Sequence, residues 1–109
     1  MEESDGSYSA KTYTWTTSGL KDSVFKTTNT TNLIITGQYS PSVAKSGTYS
    51  VKYLNGTVVK SGSISSSNGS VKSVTIAVDL NQGFTVTCTT PAYDGGSAFK
   101  FTASCYLCL

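Results

Sequence analysis

The stretch GTYSVKYLNGTVVKSGSIS, residues 47–65, decides the fold class of this chain. Its first half alternates large apolar with polar residues, which is the pattern of a strand with one buried face. The apolar positions are Tyr49, Val51 and Tyr53. Asn55-Gly56 follows, a pair that tolerates the two positive φ angles of a type I′ turn. We predict a β-hairpin in which residues 57–64 return as the partner strand and the apolar face packs in the core.

Alternating or β-branched segments recur along the rest of the chain at the spacing typical of small all-β domains. They lie at residues 13–15, 24–25, 33–35, 74–80, 84–90 and 98–106. No window of helical length carries an apolar face repeating every three to four residues. The sequence therefore predicts an all-β fold, a single small antiparallel β-sandwich or jelly roll of about eight strands.

The first nine residues, MEESDGSYS, differ in composition from the rest of the chain. They are acidic and polar, without the basic start and apolar run of a signal peptide, so no signal peptide is visible in this chain. We expect residues 1–9 to be a flexible or arm-like segment and residues 10–109 to form one β-sandwich domain.

Hydroxyl side chains dominate the composition, with 18 serines and 17 threonines among 109 residues, whereas charged residues make up only 13%. All eight basic residues are lysines, spaced singly along the chain, and the net charge is +2. A nucleic-acid partner is disfavoured because such proteins present clustered basic residues. No segment reaches the roughly 18 apolar residues that span a bilayer, so we expect no membrane span.

Catalytic groups are scarce. The chain has no histidine, the usual acid–base group near neutral pH. Three carboxylates lie in the N-terminal segment, and the other three are far apart in sequence and near predicted turns, where aspartate commonly caps the backbone. The latter are Asp22, Asp79 and Asp94. We expect a protein that is not an enzyme and that needs neither a cofactor nor a metal ion.

Three cysteines leave at least one thiol free or bonded to another chain. If residues 84–90 and 98–106 form a simple hairpin, Cys88 and Cys105 lie about 20 Å apart, too far for a disulfide. Only a longer connection between the two strands would allow that bond. Cys105 and Cys108 have a metal-like spacing, but a zinc site requires about four ligands. The pair is interpreted instead as an intersubunit or terminal disulfide.

Aromatic residues offer the remaining candidates for binding. Large aromatic side chains mostly pack in cores, but an exposed one can hold a sugar ring or a partner protein. The candidates for partner or glycan binding are Tyr13, Trp15, Tyr93 and Asp94, the last two in a predicted glycine-containing loop.

Three functions are compatible with these observations. The first is a non-enzymatic structural or interaction subunit of an extracellular or surface assembly, such as a fibre, appendage, surface layer or virion. It would self-associate or bind another surface protein. The alternative is a carbohydrate-binding or adhesion module that uses exposed tyrosine and tryptophan. A small enzyme or inhibitor has the least support. Either leading function implies a location outside the cell or on the surface of a cell or virion.

Overall fold

The protein folds as an antiparallel β-sandwich, as the sequence predicts. The computed structural model describes residues 2–4, 12–17, 30–79, 81–92 and 97–105. Its strands are β1 Glu2–Ser4, β2 Thr12–Thr17, β3 Thr30–Gln38, β4 Lys45–Tyr53, β5 Val58–Ser66, β6 Val71–Asp79, β7 Phe84–Thr89 and β8 Lys100–Ser104. The segment predicted around Val24 and Phe25 lies outside the described residues.

Among the described residues, seven strands of five to nine residues build the two sheets, close to the number of about eight that the sequence predicts. One sheet has the order β2-β7-β4-β5, and the other has the order β8-β3-β6. The three-residue β1 adds to the outer side of β8, with Glu3 opposite Phe101. Part of the predicted N-terminal arm therefore pairs within its own chain.

The core forms where the inward faces of the two sheets meet. Each strand alternates because successive side chains point to opposite faces. The fully buried large side chains come from both sheets: Leu33, Ile35, Val51, Val78, Phe84, Val86, Phe99 and Phe101. Tyr49 is also buried and Tyr53 is half-buried, which confirms the apolar face predicted for β4.

Phe101 determines how closely the two sheets approach. Its ring lies 5.0 Å from that of Phe99, and it also faces Gly47 on β4. A Cβ atom on Gly47 would lie only 2.4 Å from the Phe101 ring. Glycine is therefore required at this position because the opposite sheet's aromatic ring occupies the space of a side chain.

The predicted hairpin is present, but the predicted turn is wrong. β4 pairs with β5 as expected, yet Asn55 does not have a positive φ, and only Gly56 does, at +93°. The Gly56 amide donates to the Tyr53 carbonyl at 2.9 Å, and the register shifts between Val51 and Lys52. The connection is a longer loop with a bulge, which three-residue hairpin loops commonly adopt.

The type I′ geometry occurs instead at Asn68-Gly69, where both φ angles are positive, at 55° and 75°. The Ser70 amide closes this turn on the Ser67 carbonyl at 3.0 Å. The turn carries the chain from β5 in one sheet to β6 in the other, and the Gly69 amide anchors it on the Tyr39 carbonyl.

The simple hairpin considered for residues 84–90 and 98–106 does not form, because β7 and β8 belong to opposite sheets. Both have an apolar face that needs burial, and facing each other across the core satisfies both. The 20 Å separation inferred for Cys88 and Cys105 therefore has no structural basis, although Cys88 is a free thiol.

Candidate functional site

The structure describes only part of the predicted aromatic site. Trp15 lies on β2, half-buried, and packs against the core. The register places the Tyr13 backbone opposite Cys88, and the Tyr13 side chain is outside the described part of the chain. Tyr93 and Asp94 lie outside it as well. A joint site of these four residues remains a prediction.

The cysteines occupy different environments. Cys88 is a fully buried free thiol on β7, and the removal of its sulfur from water raises its pKa from 9.0 to about 12. A thiol held protonated at neutral pH is a poor nucleophile. Cys105 is half-buried at the end of β8 and is disulfide-bonded. Cys108 lies outside the described residues, so the intersubunit or terminal bond remains a prediction.

Asp79 acts as a turn residue, as the sequence suggested. Its carboxylate accepts the Asn81 amide at 3.0 Å and the Gln82 side-chain amide at 3.1 Å. Within residues 2–4, 12–17, 30–79, 81–92 and 97–105, no three histidine, cysteine or acidic side chains cluster as metal ligands would. That same part of the chain has no helix of the length and apolarity needed to cross a membrane.

Among the described residues, no strand pairs with the outer edge of β6. β6 has nine residues, ends its sheet, and pairs only with β3 among the described strands. The Asp79 amide points away from β3, because it donates to the Tyr53 hydroxyl at 3.0 Å. Since strand amides alternate in direction, those of Ser73, Thr75 and Ala77 also point to the open edge. These amides and their carbonyls can pair with an added strand.

The outer face of the β2-β7-β4-β5 sheet has an unusual composition. Two rows contain only hydroxyl side chains across all four strands, namely Thr12–Thr89–Thr48–Ser63 and Thr14–Thr87–Ser50–Ser61. The next row is Thr16–Thr85–Lys52–Val58, which holds the single charge of the three rows. Typical protein surfaces are about 25–35% charged. This face therefore presents an ordered and almost uncharged array of hydroxyl groups.

The opposite outer face is chemically mixed. Thr36 and Thr102 form a hydroxyl–hydroxyl hydrogen bond there, but neighbouring positions carry other chemistry. Ile34 is 40% exposed and Val71 is 60% exposed. Lys100 lies on the same face, opposite Gln38. The hydroxyl array is thus a property of one sheet and not of the whole surface.

Sequence reasoning missed both the open edge and the hydroxyl array. The alternating threonines of TYTWTT and FTVTCTT were visible in the sequence, but their alignment was not. Comparison with known proteins does not change this description. No protein-family model, no curated protein and no solved structure matches the chain.

Proposed function

We propose that the protein is a non-enzymatic structural or interaction subunit that assembles with copies of itself or with another surface protein. The observation that carries the proposal is the open edge of β6, with three amides in alternate positions directed outward. An exposed edge of this length is a template for strand addition. Natural edges are commonly blocked by bulges, prolines or short length, and the nine residues of β6 have none of these features.

The β2-β7-β4-β5 sheet ends at β5, and this edge is better protected against the addition of a strand. β5 carries a register shift opposite Val51 and Lys52, and it contains Gly62. A bulge and a glycine both weaken the addition of a further strand. Each edge also carries one exposed lysine, Lys60 on β5 and Lys72 on β6, so lysine does not distinguish them. The contrast supports β6 as the assembling edge. Identical chains joined edge to edge form closed dimers, and joined head to tail they form fibres or layers.

The proposed location is outside the cell or on the surface of a cell or virion. The disulfide at Cys105 supports it, because disulfides persist in oxidising compartments. The carbohydrate-binding alternative has weaker support. Trp15 packs against the core, which reduces the ring area that a sugar could cover. We therefore rank assembly first.

The test is molar mass by light scattering during size-exclusion chromatography, over a concentration series, with and without reductant. We expect concentration-dependent association of the native chain that survives reductant. Thr75→Pro removes an edge-facing amide without breaking a bond to β3, so it should yield monomers. The matched control Thr75→Ser keeps that amide and should associate like the native chain.

Association that disappears with reductant would assign assembly to the thiols instead of the edge. A native chain that is monomeric at every soluble concentration, in both conditions, would overturn the proposal. If Thr75→Pro does not fold, hydrogen exchange of the native chain decides. The Ser73, Thr75 and Ala77 amides should exchange more slowly in concentrated than in dilute protein.

A further inference from the structure

The threonine ladder is the set of six threonines that face outward from β2 and β7. The ladder consists of the cross-strand pairs Thr12–Thr89, Thr14–Thr87 and Thr16–Thr85. The ladder threonines of β2 are exposed, and those of β7 are half-buried. Since β2 ends its sheet, the ladder lies at the border of the hydroxyl array.

The spacing across the ladder follows from the direction of the Phe84 backbone. Its amide donates to the Thr17 hydroxyl at 3.2 Å, and its carbonyl accepts from the same hydroxyl at 3.4 Å. The polar groups of Phe84 thus face β2, and those of the threonines on β7 face β4. Each threonine pair is therefore of the non-hydrogen-bonded kind, with Cα atoms about 4.5 Å apart and side chains close together.

Hydrogen bonds between the side chains hold the ladder in order. The hydroxyls of Thr12 and Thr89 lie 3.1 Å apart, and those of Thr16 and Thr85 lie 3.4 Å apart. In each of these two pairs one hydroxyl donates to the other, which leaves one hydrogen and roughly three lone pairs for water. Along each strand the threonines repeat every second residue, about 6.8 Å. The result is a two-dimensional grid of fixed hydroxyl and methyl groups.

We infer that the threonine ladder binds the surface of ice. Oxygen atoms in the prism planes of hexagonal ice repeat on the scale of this grid, along two perpendicular axes. A hydroxyl that is already oriented loses little conformational freedom when a lattice water bonds to it. The adjacent methyl groups fill the spaces between the bonded waters. The six positions carry no charge, so no ion draws the water molecules out of the lattice arrangement.

The sheet's twist limits the contact to these two strands. Neighbouring strands rotate by about 20–25° relative to one another, so a flat crystal surface cannot follow all four strands of the array. Two adjacent strands include only one such rotation, so they deviate least from a flat surface. The ladder also lacks the aromatic ring that packs on a sugar, because Trp15 belongs to the other face of β2.

The experiment compares the native chain with ladder and control variants. Thermal hysteresis is measured in a nanolitre osmometer, and the shape of the growing ice crystals is recorded. We expect the native chain to separate melting from freezing and to produce faceted crystals. Thr14→Lys and Thr87→Lys, at the central pair, should lose both effects. Asn32→Lys adds the same charge to an exposed position on β3 of the opposite sheet and should keep them.

Two conservative variants separate the ladder's chemical groups. Thr14→Val keeps the methyl group and removes the hydroxyl, whereas Thr14→Ser keeps the hydroxyl and removes the methyl group. Both variants should reduce the thermal hysteresis by less than Thr14→Lys does. Circular dichroism verifies that each variant is folded. This test is independent of the assembly proposal, because a monomer that shapes ice would refute assembly at β6 and leave the ladder's function standing.

Absence of hysteresis and of crystal shaping in the folded native chain would overturn the inference. Equal loss in Asn32→Lys would also overturn it, because the effect would then come from charge and not from the ladder. If the native chain is inactive but Thr14→Lys abolishes self-association, the ladder is an interface between copies of this chain.

Discussion

Replacement of Gly47 by alanine tests the packing of the two sheets at their closest approach. The new Cβ atom would lie 2.4 and 2.5 Å from two atoms of the Phe101 ring, and 3.1 Å from the Thr89 carbonyl oxygen. Phe101 is fully buried and in contact with Phe99, so its ring has no free space to enter. The Thr89 carbonyl is backbone. The substitution must therefore push the sheets apart or force the ring off its rotamer.

The expected cost combines two opposing effects. Overpacking of a core costs about 1–3 kcal/mol in the free energy of unfolding. Alanine recovers about 0.4–1 kcal/mol because it restricts the unfolded chain more than glycine does. The net destabilisation should be about 1–2 kcal/mol. At about 2.1 cal/mol/K of unfolding entropy per residue, this lowers the melting temperature by roughly 4–9 °C.

Urea unfolding and calorimetry measure this cost, and a double-mutant cycle identifies its origin. Phe101→Leu removes the ring that meets the new methyl group, so Gly47→Ala should cost much less in the Phe101→Leu background. A melting temperature that is unchanged or raised by Gly47→Ala alone would refute the packing argument. An equal cost in both backgrounds would assign the strain to the backbone and not to the ring.

Three further substitutions probe single features. The pKa of Cys88 is raised to about 12 by burial, so the folded state keeps a proton that the unfolded thiol loses above pH 9.0. The stability that the protonated thiol contributes is complete below pH 9.0 and falls as the pH rises towards 12. The free energy of urea unfolding should therefore depend less on pH in Cys88→Ala than in the native chain. An equal pH dependence in the two proteins would contradict this expectation. Tyr53→Phe removes the hydroxyl that accepts the Asp79 amide hydrogen, and it should lower the free energy of urea unfolding by about 0.5–1.5 kcal/mol. An unchanged free energy of unfolding would mean that water replaces this bond. Asn68→Val places a β-branched residue at φ 55° and should cost about 1–2 kcal/mol, whereas Asn55→Val, without a positive φ, should cost less in the same thermal melts.

The sequence was sufficient to predict which residues face the core. Alternation on β4 identified Tyr49 and Val51 as inward-facing, and both are buried. Such predictions depend only on the two-residue repeat of a strand, which is a local property. They need no knowledge of the strand's neighbours.

The pairing of strands could not be derived in the same way. The apolar faces of β7 and β8 satisfy the same pattern whether the strands are neighbours in one sheet or face each other across the core. The two Asn-Gly pairs present a similar difficulty. Both suit a type I′ turn, but only Asn68-Gly69 has both φ angles positive. At Asn55-Gly56 the connection is longer than a two-residue turn, and the register shift between β4 and β5 accommodates its additional residue.

Both proposed surfaces depend on this missing information. The threonine ladder exists because Thr14 lies opposite Thr87, and a register slip of one residue would turn either strand's threonines into the core. The half-buried Trp15 and the fully buried Val86 prevent the slip, since they would have to move to the outer face. The apolar residues of β2 and β7 therefore do more than stabilise the fold. They fix the register that aligns the hydroxyl groups, so a core substitution that loosened this register would weaken ice binding without altering any residue of the ladder.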